Sequence, residues 1–402
     1  IPEVRTTGGP GVAPQAEVST AEAGWAASLR AATAELAAEG VHLDSAGGVT
    51  EEKPAESWAW EDGAPALEKR QRHFSRRRAA AARVRLLATV TPAARARIRS
   101  CGGAGAGAWL LAAPTSRATR LTDTEFRVCA RLRLRVPLGW RVRAALCRNR
   151  SSGARGEQTS TGGECKKPLD CDGFHALVCL VGGLVLRRHH SLRDLFAGIG
   201  TEAGYVSATE VLEPSWTRVH TNAEGEVVME QARLDCRFAG PPNDPLVYGD
   251  VVVSHPEASA WLSAAAERDG AAAAGAARGK HVRYPAFALP GGRLVPLSVE
   301  TFGRWSSEAL SFLRDAAIAT CERTPQLAYL GSWGPTLLLG AWHARLSVAL
   351  QKANAACILQ AGRVRGAEDI GGGNCWPGWE EDVEDLIRDA AAAASAGAGF
   401  ER

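Results

Sequence analysis

Two aspartates in this chain sit where a solvated acid would be out of place. Asp235 closes Arg233-Leu-Asp235 inside an apolar run suited to a strand, and Asp250 opens Asp250-Val-Val-Val253, too apolar for a surface strand. Between them, Gly240-Pro-Pro-Asn-Asp-Pro245 has the turn chemistry of a hairpin loop. Strands paired through that loop would bring the two carboxylates together, and carboxylates held rigidly on adjacent strands suit one or two Mg²⁺ ions. Such ions activate water and stabilise a departing oxygen. Lys280, which leads into Lys280-His-Val-Arg-Tyr284 after an alanine-rich helix, is a cation able to balance a phosphate. Taken singly, each aspartate reads as a strand-end or turn residue, and the lysine as a helix-end cation facing solvent. A third carboxylate is left open between Glu213, which with Pro214 closes the preceding strand, and Glu202 on the helix before it.

A second constellation lies upstream. Cys165, His175 and Cys179, with Cys147 ahead of a polar loop, supply soft and borderline ligands suited to tetrahedral Zn²⁺. His175 and Cys179 are four apart and share one helical face. Cys171 is four residues before His175 and competes with Cys147 for the fourth position. There is no Cys-x-x-Cys knuckle, and buried thiols are the plain alternative.

The elements that must position these residues are legible from periodicity and turn signals. Residues 190–204 read as an amphipathic helix, with Leu192, Leu195, Phe196 and Ile199 at helical spacing. Residues 205–212, 231–238 and 246–254 read as strands, residues 256–279 as an alanine-rich helix, and residues 294–302 as a fourth strand. The order helix, three strands, helix, strand predicts an α/β fold, a small mixed sheet flanked by helices. Residues 121–138 open with a helix capped by Thr122 or Asp123, with Glu125 in a capping-box position. Residues 306–321 and 342–362 read as helices. Expected domains are a disordered or helical leader (1–65, with a helix over 21–40), a basic, mainly helical segment (66–146), a Cys/His module (147–185), the α/β core (186–325), and a helical extension with a flexible tail (326–402).

Charge adds a hint about partners. The net charge is +3, yet residues 69–99 hold eleven Lys/Arg and no Asp or Glu, while residues 368–389 are acidic. A basic block of this kind suits a polyanion such as nucleic acid, or else is a solvated arginine-rich helix. The glycine stretch at residues 101–108 lacks the Gly-Lys-Ser/Thr ending of a phosphate loop and is read as flexible. The longest apolar run, residues 176–186, is too short to span a bilayer. Ten cysteines without a signal peptide suit a reduced, intracellular chain. The chain begins at Ile1 and its sole methionine is Met229, as expected of a fragment or of a piece of a larger polyprotein.

The run CKKPLDCDGFHALVCLVGG, then Arg188-His-His-Ser-Leu-Arg-Asp194, Glu213-Pro, Arg233-Leu-Asp235, Asp250-Val-Val-Val and Leu297-Ser-Val-Glu-Thr-Phe-Gly303, resembles the C-terminal region of non-LTR retrotransposon reverse transcriptase polyproteins. The similarity covers roughly residues 100–350. It implies a restriction-like endonuclease core of the PD-(D/E)xK superfamily, which nicks target DNA to prime reverse transcription. By that resemblance Asp235 and Asp250 are the motif acids and bind Mg²⁺. Val252 occupies the usual lysine position, and Lys280 with Tyr284 matches the displaced Lys-x-x-x-Tyr segment. Cys165, His175 and Cys179 match the zinc ligands. DNA, element RNA and a nuclear location follow from the same resemblance. No Tyr-x-Asp-Asp polymerase signature is present. The rival expectation is a nucleic-acid-binding fragment of a decayed mobile element, without catalysis.

Overall fold

The computed structural model describes Ala34 and residues 67–138, 146–150, 163–222, 225–241, 245–289, 291–324, 327, 330–331 and 333–362. The chain divides into two units, Ile1–Val90 and Thr91–Arg402. Within the first, helix α1 (Leu67–Thr89) carries much of the arginine-rich block. The rest of the expected leader, the 151–162 part of the polar loop and the acidic tail lie outside the described residues.

The second unit begins with α2 (Pro92–Ser100), capped by Thr91, and the short α3 (Ala108–Leu111). Helix α4 (Asp123–Leu134) starts with a full capping box, Thr122 and Glu125 each satisfying the other's backbone N–H. After α5 (Phe174–Val178) and α6 (Leu184–Glu202) come β1 (Val206–Leu212) and a small exposed hairpin, β2 (Arg218–Thr221) with β3 (Val227–Glu230), which the sequence reading lacked. Strands β4 (Arg233–Ala239) and β5 (Leu246–Ser254) follow, then α7 (Leu262–Glu267), α8 (Ala271–Arg283) and β6 (Gly292–Glu300). Helices α9 (Ser307–Arg323) and α10 (Trp333–Gly362) close the described chain.

The main sheet runs β1-β4-β5-β6, with the first three strands antiparallel and β6 parallel to β5. A parallel pair needs a helical crossover, and α7 and α8 supply it. Both faces of β6 are therefore covered, which is why Leu294–Glu300 is buried without alternation. One face of the sheet meets α6, α9 and α10 through Leu192, Phe196, Ile199, Phe238, Leu297, Phe312 and Leu346. Burying each such side chain stabilises the fold by ~1.5–3 kcal/mol.

Several expectations are corrected in detail. The expected single helix over 256–279 is two, because Gly270 adopts φ +72° and caps α8, which then runs on to Arg283. Lys280 thus lies in the last turn of α8 and not beyond it. Residues 101–108 form turns in which Cys101 and Ala106 are buried, and Trp109 just beyond them is buried too. The 30-residue α10 packs against α3, α4, α5, α6 and α9, so it belongs to both the Cys/His region and the sheet. No helix among the described residues is long and apolar enough to cross a membrane.

Candidate functional site

Cys147, Cys165, His175 and Cys179 form a group whose ligand atoms all lie within 4.8 Å of one another. A two-stranded ribbon makes this possible. Leu146 bridges Pro168 and Arg150 bridges Glu164, and the N–H groups of Cys147 and Cys165 bond the Lys167 and Asn149 carbonyls at 2.8 Å. The ribbon closes the long gap between the first two cysteines. His175 comes from α5 and Cys179 from the extended residue that follows it, so the two do not share the expected helical face. The α5 N-terminus is capped by Asp170 through the Phe174 and His175 N–H groups at 2.7 and 2.8 Å. Sulfur–sulfur distances are 3.8 Å for Cys147–Cys179 and 3.7 Å for Cys165–Cys179, with Cys165 Sγ 3.5 Å from His175 Nε2. A tetrahedron with Zn–S near 2.3 Å has edges of about 3.8 Å, so the donor set fits such a metal. Cys171 is outside the group, its carbonyl accepting the Leu138 N–H. Burial, with Lys167 adding to it, lowers the His175 pKa, which favours the neutral ligating ring.

The second site is on the sheet. Cys236 pairs with Gly249, so the next position places Asp235 on β4 across from Asp250 on β5. Both are buried, at 8% and 4% exposure. Val251 N–H donates to Asp235 Oδ2 at 2.7 Å, and His189 Nε2, from α6, lies 3.0 Å from the same oxygen. Lys280 Nζ is 2.7 Å from Asp250 Oδ2, an ion-pair distance at angles outside those of a hydrogen bond.

The two acids divide their protonation. Burial, and then the hydrogen bond with Asp235, push the Asp250 pKa up to about 7 against the pull of Lys280. Burial also opposes ionisation of Asp235, but hydrogen bonds from His189, Asp250 and the Val251 backbone outweigh it and hold its pKa below the usual range. The hydrogen bond to Asp235 raises the His189 pKa against the effect of burial. The dyad can therefore hold one shared proton near neutrality and has cause to accept a cation in its place.

The other expected residues fall elsewhere. Glu202 lies far along α6 and binds Arg345 and the Trp342 indole, so it is not a third carboxylate at the dyad. Glu213 accepts from Tyr248 Oη and from the Ser215 N–H at 3.1 Å, which occupies it in capping a turn. Tyr284 is 3% exposed and packs on Trp216, ring centroids 5.4 Å apart, while its N–H bonds the Lys280 carbonyl at 2.8 Å. It anchors the helical turn that carries Lys280.

Sequence reasoning missed His189 as a site residue, although it falls in the Arg188-His-His run. It also missed Glu210, a non-glycine residue at φ +56° between the pairs Thr209–Cys236 and Val211–Leu234, where β1 faces Asp235. Glu210 forms ion pairs with Arg193 and Arg233. Glu210 lies opposite Asp235 with no extra residue in either strand, and a non-glycine residue held in the left-handed region is a strained position of the kind that clusters at functional sites.

No protein-family model matches the chain, and no curated protein matches it either.

Proposed function

We propose that the chain is the metal-dependent DNA endonuclease part of a retrotransposon-type polyprotein, with Asp235, Asp250 and Lys280 as its catalytic group. The observation that carries this reading is the convergence of two buried acids from adjacent strands with a lysine from the crossover helix. In the main sheet β1, β4 and β5 follow α6, and the crossover through α7 and α8 leads to β6; this order supports reading the sheet as a restriction-like core.

The residues fit Mg²⁺, which commonly takes one or two protein carboxylates and fills its remaining positions with water and substrate phosphate. When bound, the metal supplies an activated water and neutralises charge on the phosphate. Asp235 and Asp250 would hold it, Asp250 surrendering its proton. Lys280 sits beside Asp250 and would offset the charge that develops on the phosphate. The Cys147, Cys165, His175, Cys179 group would hold structural Zn²⁺. The arginines of 69–150 would grip the DNA backbone, making binding strongly salt-dependent.

The test is conversion of supercoiled plasmid to open circles by purified chain. Nicking should require Mg²⁺ or Mn²⁺ and be lost in Asp250→Ala. Tight DNA binding with no nicking in either metal would sink the enzyme reading.

A further inference from the structure

We infer that His189 is a positioning residue that fixes which oxygen of Asp235 is offered to the metal, an inference that rests on the endonuclease reading above. Two donors meet at one atom. The Val251 N–H and the His189 ring, at 2.7 and 3.0 Å, both fall on Asp235 Oδ2, leaving Oδ1 as the oxygen available to a cation shared with Asp250. The Val251 donor belongs to the strand that carries Asp250, so it cannot turn the Asp235 carboxylate without moving its partner. His189 comes from α6, a separate element set on the sheet by Leu192 and Phe196, both wholly buried. It clamps Asp235 from outside the sheet.

The ring is itself held in place. His189 stacks edge-on against His190 at 5.6 Å, and the preceding Arg188, 2% exposed, is tied to Asn354 of α10 at 3.0 Å. The Nδ1 atom is buried without a partner among the described residues, so the ring's hydrogen bonding is spent on Asp235 alone. Carboxylate ligands are oriented by such outer contacts, whose loss typically weakens metal binding ~10–100-fold.

Three variants test this. His189→Leu removes the donor, His189→Gln returns an amide nitrogen near the Nε2 position, and His189→Asn places it near Nδ1, short of Asp235. Mn²⁺ affinity is read by calorimetry on the zinc-loaded chain, and nicking is followed against Mg²⁺ concentration. His189→Leu and His189→Asn should weaken Mn²⁺ binding and raise half-saturating Mg²⁺ by ~10–100-fold, with most of the nicking rate recovered at saturating metal. His189→Gln should stay close to wild type in both. Unchanged Mn²⁺ affinity in His189→Asn, or failure of folded His189→Gln to rescue, overturns the inference alone. Absence of Mn²⁺ binding and nicking in the wild type overturns the endonuclease reading with it.

Discussion

Asp250 resists ionisation because burial and the neighbouring Asp235 both oppose a second negative charge. Its folded pKa, about 7, lies above that of an unfolded aspartate. Below the unfolded value both states are protonated and nothing is lost. As pH rises from there towards 7, the unfolded carboxyl ionises freely while the folded one does not, so stability falls, by on the order of 1 kcal/mol per pH unit. Metal-free wild type should therefore lose stability between pH 4.5 and 7 relative to Asp250→Asn, as read by denaturant unfolding at each pH. Equal slopes in the two proteins would contradict the assigned pKa. The aspartates were readable in sequence because acids inside apolar strands are anomalous. His189 was not, because its partner is 46 residues away and only the packing of α6 on the sheet joins them. Glu202 misled because periodicity places it on the helix before β1, read as 190–204 and found to run from Leu184 to Glu202, without telling which end meets the sheet edge.

Helix α8 is the element that delivers Lys280, and its glycines differ in what they allow. A Cβ on Gly275 would lie 2.3 Å from the Trp261 ring, whereas one on Gly279 meets no atom within 4 Å. Gly279→Ala should raise stability by up to ~1 kcal/mol through helix propensity alone. Gly275→Ala should lower stability and reduce nicking, since the helix must lift off Trp261 and carry Lys280 with it. Thermal melting and the plasmid assay check both, and a stabilising Gly275→Ala would refute the packing account. The four strands of the main sheet were legible to within two residues, β5 and β6 because burial on both faces leaves long apolar runs, whereas the exposed β2–β3 hairpin carries no such run. The break at Gly270 was not, because alanine-rich sequence suits one helix or two, and only a left-handed glycine decides.

Across the Thr91–Arg402 unit, α10 touches both the Cys/His region and the sheet packing. Val348, Cys357 and Ile358 serve the first, Trp342, Leu346 and Leu350 the second. Stripping metal from the Cys/His group should thus destabilise the sheet as well. A strong chelator, or Cys179→Ser, should lower the melting temperature in one cooperative transition and abolish nicking, while Asp250→Asn keeps its full zinc content. Two separate transitions would show the regions to be independent. The expected five-part division was drawn from local composition, which cannot register a helix that lends its length to two cores. Likewise the fourth metal ligand stayed undecided between Cys147 and Cys171, because ribbon pairing around residues 146–168 makes sequence spacing irrelevant. The most direct test of the central claim is anomalous diffraction from crystals of the chain grown with Mn²⁺. A manganese peak within coordination distance of both Asp235 and Asp250 is the predicted result, and a well-ordered dyad with no peak beside it would contradict the account.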